Sequence, residues 1–107
     1  MKSQPRSPLH VGQVIEIELP QFMPRITIRS ERELTVEIIA GDNAGFSDTI
    51  PYEAVVVRDG IVLLSWREHI GSTIVHLLDY DSRYAYTAVT TAKGEFMRLR
   101  GRMIIHS

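Results

Sequence analysis

The stretch Leu63 to Asp81, "LLSWREHIGSTIVHLLDYD", decides how the chain is read. Apolar residues recur at every second position on either side of Gly71, with Arg, Glu, His and Asp among them. A period of two is the mark of half-buried strands, and a glycine between two such runs marks a hairpin. With Ile70-Gly71 as a two-residue turn, Trp66 falls opposite Val75 and Leu64 opposite Leu77. The open question is whether the polar residues here are the outside of a scaffold or the inside of a site.

The same alternation extends outward in both directions. Strands are expected at 12–19, 24–30, 33–40, 47–57, 61–68, 72–79, 83–91 and 95–105, with no helix of useful length between them. Short turns at Asp59-Gly60, Asp81-Ser82 and Lys93-Gly94 join neighbours, and "AGDNAG" (40–45) is a longer loop. The fold class is therefore all-β: a small up-and-down antiparallel barrel of about eight strands, preferred to an open sandwich because closure removes exposed edges.

Extending the registers across these turns pairs Leu77 with Tyr86, Asp79 with Tyr84 and Ala88 with Leu99. One face then collects Val62, Leu64, Trp66, Glu68, Val75, Leu77, Tyr84, Tyr86, Ala88, Met97, Leu99, Gly101 and Met103, and is expected to be the interior. The other face carries His76, Thr87, Arg67, Arg98, Arg100 and Arg102 with Ile61, Leu63, Ile74, Leu78 and Val89. Those five aliphatics suggest a homodimer contact.

Composition narrows the function. A net charge of -1 offers no field for nucleic acid, and the arginine row 98–102 lacks the aromatics of a nucleic-acid platform. No segment reaches the ~20 apolar residues of a membrane span. The chain has no cysteine, which excludes disulfides and thiolate metal sites and fits a cytoplasmic location. Residues 1–10 are expected to be a flexible leader and 11–107 a single barrel domain.

Among the residues assigned to the interior, Glu68 calls for an explanation. It is either a solvated rim carboxylate or one desolvated beside Trp66, with a raised pKa and a role as acid, base or ligand anchor. Carrying the register across Asp59-Gly60 pairs Glu53 with Trp66 and places it diagonally to Glu68, as a candidate acid–base pair. Pro51 leaves open whether Glu53 or Tyr52 turns inward. Tyr84 and Tyr86 are candidate walls, with hydroxyls that need a partner. His76 falls outside and drops out. No histidines share ligand spacing on one strand, so neither a metal nor a cofactor is expected.

Residues 59–103, "DGIVLLSWREHIGSTIVHLLDYDSRYAYTAVTTAKGEFMRLRGRM", carry a family likeness. The order Ser-Trp-x-Glu, Gly-Ser-Thr, a strand ending in Asp, an aromatic strand and Phe-x-Arg-Leu-x-Gly resembles the MoaF-like proteins, relatives of a molybdenum cofactor biosynthesis protein F. The Ser-Trp-x-Glu segment is also similar to the phenolic acid decarboxylases. The resemblance implies a calycin, or lipocalin-like, barrel with a ligand-sized interior, often dimeric, and implies no particular reaction. The decarboxylases' first-strand tyrosines are absent from "VIEIEL" (14–19), and Asp59 stands where they carry glutamate, which argues against that chemistry.

Three functions follow. The first is binding of a small apolar or aromatic molecule inside the barrel, walled by Trp66, Tyr84, Tyr86 and Met97 and oriented by Glu68. The second is an enzyme of the same fold using Glu68, with or without Glu53, as general acid or base. The third is a filled-core protein-interaction module, since eight strands leave room for little besides side chains.

Overall fold

The computed structural model describes residues 6–106. Eight strands follow one another as a meander: β1 (Val14–Glu18), β2 (Phe22–Ile28), β3 (Glu33–Gly41), β4 (Ser47–Arg58), β5 (Ile61–Arg67), β6 (Thr73–Asp79), β7 (Tyr84–Thr90) and β8 (Phe96–His106). Each pairs antiparallel with the next, and β1 pairs with β8 to close the barrel. The expected all-β, eight-stranded closed barrel is the observed one.

Alternation produces the core. Ile15 and Ile17 of β1, Ile26 and Ile28 of β2, Leu34 and Val36 of β3, and Val62 and Leu64 of β5 are buried. They fill the interior as expected for a barrel of this strand number, whose bore is about as wide as its side chains. The end of the barrel at which β1 begins is closed further. Leu9 packs against the core there, Gln13 Nε2 donates to the Pro8 carbonyl at 3.1 Å, and the Tyr80 hydroxyl donates to Gln13 Oε1 at 2.9 Å. The leader expected over 1–10 lies partly outside the described residues. Its described part, 6–10, lies against this end.

The hairpins correct the expected registers. Glu68 N–H donates to the Ser72 carbonyl and Gly71 N–H to the Glu68 carbonyl, both at 2.8 Å. Thr91 N–H donates to Glu95 at 2.8 Å and Gly94 N–H to Thr91 at 2.9 Å, which repeats the pattern. Both are three-residue loops, His69-Ile70-Gly71 and Ala92-Lys93-Gly94, whose last glycine has a positive φ, 103° and 89° respectively. Neither is the two-residue turn that was expected. Trp66 therefore pairs with Ile74 rather than Val75, and Ala88 with Arg98 rather than Leu99.

Each extra loop residue shifts the register by one, and the two shifts cancel between β5 and β8. Within β5–β8 only β6 and β7 are turned over. Ile74, His76 and Leu78 on β6, and Ala85, Thr87 and Val89 on β7, face inward. Val75, Leu77, Tyr84, Tyr86 and Ala88 face outward. The β6–β7 register itself is as expected, with Asp79 opposite Tyr84. Asp79 sits outside, where its carboxylate accepts the N–H groups of Asp81 and Ser82 at 3.0 and 3.2 Å and shapes the turn.

The expected outer strip loses Ile74, Leu78 and Val89 to the core. A different outer row replaces it, formed by Leu63, Leu77 and Tyr86 in register across β5, β6 and β7.

Candidate functional site

Glu53 and Glu68 do not form a pair. The register expected across Asp59-Gly60 holds at Arg58 opposite Ile61, but a bulge between Val56 and Arg58 shifts everything beyond it. Tyr52 then pairs with Trp66, and Glu53 pairs with Ser65 on the exposed outer face. Tyr52 takes the inward parity, and its hydroxyl donates to the Ser30 carbonyl at 2.8 Å. Tyr84 and Tyr86 are no walls of the interior either. Tyr86 is 46% exposed, and the Arg100 guanidinium lies 5.3 Å from the centre of the Tyr84 ring.

Glu68, Trp66 and Met97 face inward, and they gather at one end of the barrel. The turns after β1, β3, β5 and β7 rim this end and surround a half-enclosed cavity of about 340 Å³. Phe22, Ile38, Phe46, Ile74, Val89 and Met97 give it apolar walls, and Glu68 and Ser72 bring polar groups into it. This size lies near the lower bound of small-molecule sites, roughly 300 Å³. A larger hollow of about 550 Å³ runs past Arg32, Glu53 and Arg67 on the outside of β4–β6, but it is an open furrow. The enclosed space is at the mouth.

Glu68 is held from below. Residues two apart on a strand share a face, so Trp66 lies directly beneath it, and the indole N–H donates to Glu68 Oε2 at 3.1 Å. Among the described residues nothing else hydrogen-bonds this carboxyl, so Oε1 is available to an occupant of the cavity. Burial pushes the Glu68 pKa up; the Trp66 bond partly offsets this, and the nearby Asp48 charge adds to the rise.

The rim itself is pinned. Asp48 accepts the His69 backbone N–H at 2.9 Å and lies 2.8 Å from His69 Nδ1, tying the 69–71 loop to the start of β4. Burial raises the Asp48 pKa, but the bonds from His69 outweigh it and leave the carboxyl below its ordinary value.

His76, read from sequence as an outer residue, is the most buried polar side chain of the barrel, at 1% exposure. It occupies the layer beneath Ile74 and Val89. Its ring lies 5.1 Å from that of Trp66, and Nδ1 is 2.7 Å from Thr87 Oγ1. Nε2 has no hydrogen-bond partner among the described residues. Burial pulls the imidazole pKa down to about 3, so the ring is neutral. A continuous stack thus runs from the cavity inward: Glu68, Trp66, His76, Thr87.

Sequence reasoning missed Phe22, Phe46, Asp48 and His76 as parts of this region. Phe22 reaches this mouth from β2, across the barrel, and Phe46 and Asp48 arrive with the start of β4, whose register to β5 is set by a bulge that pattern alone does not place. The signal for His76 was present in the His-Ile-Gly and Ala-Lys-Gly loops, because glycine in third place marks the three-residue hairpin. No group of three or more His, Cys, Asp or Glu side chains suited to a metal occurs among the described residues.

A comparison with curated proteins finds no match. Among solved structures, the chain is similar to "a putative beta-lactamase from Burkholderia vietnamiensis", at a TM-score of 0.87 and 24% identity, covering 94% of this chain and 99% of that one. At that identity the likeness establishes a shared fold. The model of the MoaF-like family matches residues 11–104, nearly the whole barrel, and the chain belongs to the MoaF-like family.

Proposed function

We propose that the mouth cavity binds a small, mainly apolar or aromatic molecule whose one polar group, a hydroxyl or a carbonyl, is gripped by Glu68. The observation that carries this reading is a buried carboxyl with one oxygen fixed by Trp66 and the other left to a cavity walled by Phe22, Phe46 and Met97. Apolar walls supply affinity, and one placed polar group supplies orientation. The site is smaller than the whole-barrel interior expected from sequence, because the layers below Ile74 and Val89 are filled.

Catalysis by a carboxylate pair loses its second member, since Glu53 is on the outer face. Glu68 alone, with its raised pKa, supports an acid–base role. The name of the neighbouring structure adds no support. Serine beta-lactamases use a Ser-x-x-Lys pair, and the lysines of this chain, Lys2 and Lys93, do not stand three places after a serine.

Trp66 is the chain's single tryptophan, so its fluorescence reports on the site. Benzyl alcohol is expected to shift that emission on titration and to bind more tightly than toluene. Glu68→Gln, which keeps an oxygen acceptor, should narrow this preference, and Glu68→Leu should abolish it, a loss of about fivefold for one hydrogen bond. Glu68→Leu should bind toluene at least as well as the wild type. Equal affinity of wild type and both variants for the two probes, or no binding of either, would sink the reading.

A further inference from the structure

β4 spans 12 residues, yet β3 pairs with only its first part. The β3–β4 ladder ends at Glu33 opposite Pro51, and the final bond on that side runs from Tyr52 N–H to the Arg32 carbonyl at 3.0 Å. On its other side β4 remains paired with β5 as far as Arg58. Residues 53–58 therefore form a strand edge with no ladder partner among the described residues. Backbone groups alternate in direction along a strand. Since Tyr52 N–H points to the β3 side, those of Ala54 and Val56 point to the open side.

An open edge is a template for another strand unless charge, proline or a covering segment blocks it. Here the described part of the leader runs nearby: Arg6 N–H donates to Asp59 Oδ1 at 2.9 Å, and Leu9 and His10 share a shallow hollow with Ala54. Among the described residues it makes no backbone bond to the edge. Its prolines, Pro5 and Pro8, have no N–H to give to a ladder. Val55 and Val57 beside the edge are each 55% exposed.

The edge sequence is Glu53-Ala54-Val55-Val56-Val57-Arg58, with an acid at one end, a base at the other and aliphatic residues between. Such a strand complements itself when paired antiparallel. With the two-fold axis at Val55, Ala54 lies opposite Val56 of the second copy, and their outward backbone groups form the ladder. Glu53 of each copy then meets the Val57–Arg58 end of the other. Val55 also continues an outer apolar row through Leu63 and Leu77 to Tyr86, in register on four strands. Pairing at Val55 joins the two rows end to end.

We propose that the chain forms a two-fold dimer by antiparallel pairing of the open β4 edge, residues 53–58, with the same edge of a second copy. The contact is one short strand pair, so a reversible association is expected rather than an obligate one.

Sedimentation of the full chain over a micromolar concentration series tests it, with circular dichroism confirming that each variant is folded. The wild type should move from monomer to dimer. Ala54→Pro removes a donor that points away from β5, so it should keep the barrel and abolish the dimer. Glu53→Arg and Arg58→Glu each bring like charges next to one another at both ends of the pairing. Each should weaken association by about tenfold, and the double variant should restore it. A wild type that stays monomeric throughout overturns the proposal. So does a dimer that tolerates Ala54→Pro and both reversals but is lost in Leu77→Lys, which would place the contact on the flat apolar row instead.

Discussion

Replacing Gly101 by alanine is expected to destabilise the barrel by about 3 kcal/mol or more, enough to lower the melting temperature by roughly 15 °C in a domain of this size. Gly101 lies on the inner face of β8, and a Cβ there would stand 2.1 Å from the Glu18 carbonyl oxygen and 3.0 Å from Leu19 N. Both obstacles are backbone. The end of β1 bends at this point, with Leu19 N–H bonded to the Ile17 carbonyl at 3.0 Å, and the bend carries Leu19 into the core across β8. Even one methyl group would push β1 from β8, the seam that closes the barrel. Gly94→Ala is the instructive contrast. Nothing lies within 4 Å of its Cβ position, but its φ is +89°, so its cost should be the ~1 kcal/mol of a left-handed residue. Thermal unfolding of the two variants separates the effects, and equal costs would refute the close-approach account of Gly101.

His76 should make the protein markedly acid-sensitive. In the fold its pKa is about 3, against an ordinary 6.5, because burial disfavours the imidazolium. On acidification the unfolded chain takes up this proton first. The stability that depends on the neutral ring is therefore complete above about pH 6.5 and drains away as pH falls towards 3. The loss should approach 3 kcal/mol by pH 4, on the order of 1.4 kcal/mol per unit of pH across the gap. His76→Leu removes the titration. At pH 7 the substitution should cost about 1 kcal/mol, because it removes the unpartnered Nε2 but leaves the buried Thr87 hydroxyl without its partner. Denaturant midpoints of both proteins at pH 7 and pH 4 decide the matter. Carboxylates shared by the two proteins cancel in the difference, and parallel curves would show that His76 does not govern acid stability.

The same residue shows what was legible in the sequence. Strand number, strand order and closure could be read from alternation and turn residues, because each needs only local pattern. The inner faces of β5 and β8 were also legible, since Trp66 and Leu64, and Met97 and Met103, alternate with arginine or serine. β6 and β7 were not. β6 carries Ile74, His76 and Leu78 on one face and Val75 and Leu77 on the other, so hydrophobicity hardly prefers either. Its orientation rests on loop length, and one unrecognised residue in the His-Ile-Gly loop exchanged the faces. The matching residue in Ala-Lys-Gly then restored β8, which made a wrong pair of strands look consistent. Glu68 and Trp66 were found because their strand was read correctly. Phe22 comes from a strand distant in sequence that only the closed sheet brings to this mouth, and Phe46 and Asp48 arrive with β4, whose register turns on the bulge between Val56 and Arg58.

The β1–β8 seam also bears on the order of folding. Every other ladder joins strands adjacent in the chain, so each can form as a local hairpin. The seam pairs Val14 with His106 and Glu18 with Arg102, residues from opposite ends of the domain. It must bear the largest loop-closure entropy, and it gains little until the intervening strands have already curled. The seam is therefore expected to form last, with β1 and β8 as the margins of the curling meander until it does. During that interval the two strands are free to pair with a neighbouring chain. A slower closure would lengthen the time for which these two edges are open to such pairing.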